Sequence, residues 1–131
     1  MRERRPDVKK ALSLIESAKD EVNFTLTLKL DKDSANTIVR NIYESFRMLG
    51  QALLIADGKE IPDHIAHISE LIKLKIETKR PLSLLDNFRR LRHNINYYAY
   101  KSSVADAQDM INFTKICFEP LFKEVKRKIG E

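Results

Sequence analysis

Cysteine is all but missing from this chain: Cys117 is the sole one, so no internal disulfide can form and a reducing compartment is the natural home. It sits between Ile116 and Phe118 and reads as a small buried hydrophobe rather than a nucleophile. Three glycines and four prolines are too few for a turn-rich sandwich or barrel. No apolar run approaches the roughly 20 residues needed to span a bilayer. The opening Met1-Arg-Glu-Arg-Arg-Pro6 has no apolar centre of the kind a signal peptide needs, so a soluble cytoplasmic protein is expected. There is no glycine-rich phosphate loop, no Cys-His zinc pattern, no nucleophile elbow and no obvious carboxylate pair. His64 and His67 lie three apart without a third ligand of suitable type. They read as helix-end or packing residues, and neither a metal nor a cofactor is expected.

What is present is helical material. At 131 residues, with 43% apolar and 33% charged side chains, the chain suits a single domain over 1–131. A fold of this length buries roughly two-thirds of its unfolded surface. The net charge of +5 and the pI near 9.3 favour encounters with anions, nucleic acid among them. Basic groups gather at both ends and between Lys79 and Arg92, and only the internal group is weighed as a site.

Apolar spacing predicts five helices. The first starts at Pro6-Asp7, carries Val8, Leu12, Ile15, Val22 and Leu26 and ends at about Leu28, although Phe24 to Leu30 also alternates like a strand. The second, through Val39, Ile42, Phe46, Leu49, Leu53 and Ala56, stops at Asp57-Gly58. A short third begins at Pro62-Asp63, turns Ile65, Ile68, Leu71 or Ile72, and Ile76 inward, and breaks at Thr78 to Pro81. Leu84, Phe88, Leu91, Ile95 and Tyr98 define the fourth, and Ala107, Ile111, Thr114, Phe118, Leu121 and Val125 the fifth, which Pro120 should kink. Short loops predict antiparallel neighbours. The expected fold is all-α, an up-and-down bundle of four main helices plus one short one.

The fourth helix carries the chemistry. Between Arg89 and Tyr100 the twelve residues include three arginines, one histidine, two asparagines and three tyrosines. Guanidinium forks match phosphates, and aromatic rings stack on bases. At about 100° per residue, Arg92 falls at the edge of the apolar stripe with Asn96 one turn on, while Arg89, His93 and Tyr100 share that flank. Tyr98 is expected in the core; Tyr97 and Tyr100 point away from it. A solvated face whose arginines pair with neighbouring carboxylates is the plainer alternative.

The helix order, Asn41-Ile-Tyr43 through Phe46, the His64/His67 segment and Arg92-His93-Asn94-Ile-Asn-Tyr97-Tyr98 together resemble a HEPN domain (higher eukaryotes and prokaryotes nucleotide-binding). The likeness covers nearly the whole chain. It is closest to the small prokaryotic stand-alone type, often encoded beside a minimal nucleotidyltransferase. Active members of that family are metal-independent endoribonucleases, many of them toxins of toxin–antitoxin pairs. Two subunits pair so that both motifs face one composite cleft. The motif is an arginine, a polar residue and, several positions on, a histidine. Arg92 and His93 match the first two; the terminal histidine would fall at Tyr97, Tyr98 or Ala99.

Tyrosine, with a pKa near about 10, is a poor base at neutral pH. The resemblance therefore implies a homodimeric protein that binds RNA or a nucleotide, with a degenerate ribonuclease motif. Arg89 and Arg92 would hold phosphate, His93 and Asn96 would supply hydrogen bonds, and Tyr97 or Tyr100 would stack on a base. The alternatives are a toxin-type ribonuclease acting through Arg92 and His93, or a non-catalytic docking partner of a nucleotidyltransferase.

Overall fold

Asp7, Asp63 and Ser103 each stop a backbone from starting its helix with bare N–H groups, and they set the frame of the molecule. The computed structural model describes residues 2–3 and 5–130, with only the backbone described at 2, 3 and 60. Five helices pack together in an all-α bundle: α1 (Val8–Thr25), α2 (Ala35–Ala56), α3 (His64–Ile72), α4 (Leu84–Tyr97) and α5 (Val104–Ile129). A two-residue antiparallel pairing joins β1 (Arg2–Glu3) to β2 (Lys59–Glu60), with Arg2 opposite Glu60. No sequence pattern announced it.

The Asp7 carboxylate accepts from the Lys10 N–H at 2.9 Å and starts α1. Ala11, Ile15, Ala18, Val22 and Thr25 then form its buried stripe, at steps of four and three. The helix closes at Thr25 rather than near Leu28. Thr27 supplies the reason: its hydroxyl and its N–H both donate to the Phe24 carbonyl, at 2.6 and 3.0 Å, turning the chain there. Neither the expected last turn nor the alternative strand forms.

α2 is the central helix and contacts the other four. Its buried set includes Ile38, Val39, Ile42, Tyr43, Phe46 and Leu49, a face wide enough to meet neighbours on several sides. It ends at Asp57, and Gly58 takes a positive φ of 75° to turn the chain. Phe46 meets the rings of Phe113 and Phe118 at 5.5 and 5.4 Å, and Phe113 meets Phe88 at 5.0 Å, all edge-on. These four rings join α2, α4 and α5. Cys117 lies buried beside them, as its neighbours implied.

The directions of the helices follow from their contacts. The Asp7 N–H donates to Ile55 O at 3.2 Å, so α1 starts where α2 ends. Arg40 of α2 meets Asn96 of α4, and Asn36 of α2 meets Ser102 just before α5. Thus α1 and α4 oppose α2, while α5 runs with it. α3 also departs from strict alternation: His64 lies beside Tyr43, the His67 backbone against Gly50, and Glu70 near Leu53 and Ala56. These pairs rise together, because residues 58–63 travel back along α2 before α3 begins.

α3 stops at Ile72, short of Ile76. From Leu74 to Thr78 burial alternates residue by residue, with Leu74 buried and Lys75 and Glu77 exposed, so this stretch lies over the core with alternate side chains turned in, a period of two rather than a helical one. α5 opens with a reciprocal capping box between Ser103 and Asp106 and is helical without a break through Pro120.

Candidate functional site

Two of the three clustered arginines on α4 share one carboxylate of their own helix. Asp86 holds Arg89 Nε at 3.0 Å and Arg90 Nη2 at 2.8 Å, the three- and four-residue spacings that face each other on a helix. Arg92 is different. It is half-buried, its guanidinium lies 5.7 Å from the centre of the Tyr43 ring, and no carboxylate pairs with it among the described residues. The ring face offers a weak electrostatic partner and leaves the donors of the fork uncommitted.

Arg92 borders a hollow of about 360 Å³. Arg89, His93 and Tyr97 line it from α4, Tyr43 from α2, and Pro62 to Ile65 from the start of α3. The Asp63 carboxylate is occupied there, accepting from the Ile65 N–H at 2.9 Å as the cap of α3. Tyr43 is 1% exposed and its hydroxyl has no hydrogen-bond partner, an uncommon state for a buried polar atom. Burial pushes its pKa up to about 12, against the pull of the Arg92 and Arg47 charges, so at neutral pH the phenol is a donor.

The His64 ring lies 6.1 Å from that of Tyr43 and 6.0 Å from that of His67. Burial, and then the charges of Arg47 and Arg92, hold its pKa below the ordinary imidazole value, so it is neutral at pH 7. His93 packs against Tyr97 at 4.7 Å and Tyr98 at 5.7 Å, at the open side of the hollow.

His67 stands behind His64 and does not line this hollow. It is 2% exposed, with both nitrogens engaged: Nε2 meets the Ile61 carbonyl at 2.5 Å and Nδ1 meets Arg47 Nη1 at 2.9 Å. A carbonyl only accepts and a guanidinium only donates, so the proton sits on Nε2 and Nδ1 accepts. Glu44 and Gln51 hold the other edges of Arg47. This histidine has no nitrogen to spare for a metal, and among the described residues no three His, Cys, Asp or Glu side chains are grouped to hold one.

Of the residues expected to form a site, Arg89, Arg92, His93 and Tyr97 come together around the hollow. Asn96 and Tyr100 do not. The Asn96 amide oxygen accepts from Arg40 Nε at 3.1 Å, and the Tyr100 hydroxyl reaches Asp106 at 3.4 Å. The tight exit from α4 separates Tyr100: the N–H groups of Tyr98 and Tyr100 both donate to Asn94 O, with Ala99 at a φ of 53°. Tyr98 is not a core residue. It caps the helix and is 72% exposed, because the buried stripe runs through Leu85, Phe88 and Ile95 and ends before it.

The hollow also takes Tyr43 and His64, which helical phase alone did not single out as ligand residues. Their signal was a polar-capable ring on an otherwise apolar face (Tyr43) and a histidine directly after a helix cap (His64). Neither spacing says that the two meet Arg92.

No family model, no curated protein and no solved structure matches this chain. Among the described residues no helix is long and apolar enough to cross a membrane.

Proposed function

We propose that the chain is a HEPN-like protein that binds RNA or a nucleotide in the hollow between α2, α3 and α4. The observation that carries this reading is Arg92, a half-buried cation without a carboxylate beside a buried tyrosine hydroxyl without a partner. A phosphate answers both needs: its oxygens accept from the guanidinium fork and from a phenol O–H. Tyr97, 68% exposed at the rim, offers a ring face for a base, and His93 a hydrogen bond beside it. A second copy of the chain would complete the cleft, packing on the exposed Ile65 and Tyr98 beside its mouth.

Ribonuclease chemistry is the second reading, and one observation favours it. The motif lacks its terminal histidine, yet His64 brings a neutral imidazole to the same hollow as Arg92 and His93. A neutral imidazole can accept the 2′-hydroxyl proton as that oxygen attacks phosphorus; the P–O5′ bond breaks, a 2′,3′-cyclic phosphate forms, and the departing 5′-oxygen takes a proton from water.

One experiment addresses both. Labelled single-stranded RNA is titrated with wild type, Arg92→Ala and Arg90→Ala in EDTA, following anisotropy and strand length. Binding weakened about tenfold or more (~1.4 kcal/mol) by Arg92→Ala and little changed by Arg90→Ala supports the site. Equal losses in the two variants would reduce the effect to net charge. Cleavage abolished by His64→Ala as well as Arg92→Ala would establish the enzyme.

A further inference from the structure

A second hollow, of about 660 Å³ against about 360 Å³ for the one beside Arg92, lies elsewhere on the molecule. It lies between the start of α1, the end of α2 and the 58–62 segment, and its cationic lining is Arg5, Lys10 and Lys59. Among the described residues none of these three has an ion-pair partner. Among the described residues Asp7 is the one carboxylate of the lining, and it accepts from the Lys10 N–H at the cap of α1. Leu54, Ile55 and Ile61 give the hollow an apolar wall, and Gln51 an amide beside it. Cations around an apolar wall suit a phosphodiester whose sugar or base lies on hydrocarbon.

The two hollows adjoin. Pro62 lines both, and the rings of His64 and His67, which line one each, stack 6.0 Å apart between them. The chain returning from α2 to α3 thus separates two cationic depressions by the width of a proline and a histidine pair.

We infer that the ligand is a single-stranded oligonucleotide rather than a mononucleotide. One stretch of the strand occupies the Arg92 hollow. The next passes over Pro62, and its phosphates are held by Arg5, Lys10 and Lys59. This rests on the binding reading above and specifies its ligand. A single nucleotide can satisfy Arg92 but leaves the second set of cations unused; a strand with several phosphates satisfies both.

The test compares an RNA of about ten nucleotides, within the usual range for single-strand sites, with a mononucleotide. Proteins are wild type, the double variant Lys10→Ala/Lys59→Ala, Arg92→Ala, and a control double variant Lys115→Ala/Lys123→Ala that removes the same charge from exposed positions of α5. The Lys10/Lys59 variant is expected to bind the RNA about tenfold more weakly, with a salt dependence shallower by roughly 0.7 for each phosphate it no longer neutralises. Its mononucleotide affinity should not change, whereas Arg92→Ala should weaken both ligands. RNA affinity equal in the two double variants would overturn the bridging strand, and weaker binding by Arg92→Ala would still leave the α4 site standing. Wild type that binds neither ligand would overturn both.

Discussion

His67 is held neutral by geometry: its Nδ1 faces a guanidinium, so a second ring proton would set donor against donor beside a fixed cation. Burial, ahead of the Arg47 charge, accordingly lowers its pKa, and burial lowers that of His64. For both, the unfolded chain binds the proton more readily, with an ordinary value of 6.5. Their contribution to stability is fully present above that value and is lost as pH falls from it towards the lowered folded pKa. Urea midpoints should therefore drop between about pH 7 and pH 5, and the drop should be smaller in His67→Gln. An unchanged slope in that variant would remove His67 as the cause. Tyr43 makes the opposite kind of case. Tyr43→Phe deletes a buried hydroxyl without a partner, so thermal stability should rise by about 1 kcal/mol. The same change should weaken RNA binding if that hydroxyl donates to a phosphate. A variant that is both less stable and unaltered in binding would contradict this role for the residue.

Helix ends and helix approaches decide what the elements can offer. α3 lies so close to α2 that a Cβ on Gly50 would sit 1.9 Å from the His67 carbonyl oxygen, a backbone atom that cannot swing aside. Gly50→Ala should cost about 3 kcal/mol, the upper end for overpacking, and should disturb the His67–Arg47 pair. A melting temperature equal to wild type would disprove the close approach. Much of the element structure was legible because helix signals are local. The stripe of α2, its stop at Asp57-Gly58 and the start of α3 after Asp63 all come from residues within a turn or two of one another. The pairing of Asp86 with Arg89 and Arg90 has the same local spacing, but the carboxylates were expected from a neighbour rather than from α4 itself. The ends of α1 and α3 were harder. Thr27 turns the chain through a side-chain bond that competes with the helix, and the alternation after Lys73 is short enough to pass for a last helical turn.

At the scale of the whole molecule, a net charge of +5 favours encounters with anions, and the two hollows are where we propose they are held. If a second copy covers Ile65 and Tyr98, sedimentation at micromolar concentration should give a dimer, and Tyr98→Ser should shift it towards monomer. A wild-type monomer would leave each hollow to act alone. The sequence by itself determined the all-α class, the number of helices and the buried stripes of α2 and α5, since periods of three and four residues are properties of one segment at a time. On α1 and α4 only Ile15, Val22, Phe88 and Ile95 of the expected stripes are buried, and Ile65 of α3, expected inward, is exposed. The sequence also placed Arg92 at the edge of its stripe. Only the tertiary structure decided that, of the three clustered arginines on α4, Arg92 is the one without a carboxylate among the described residues, that Tyr43 and His64 meet it, and that Asn96 and Tyr100 do not. Those outcomes depend on how α2, α3 and α4 approach one another. That approach is set by Gly50, by the returning 58–63 segment and by the turn at Ala99, across separations no helical period can encode.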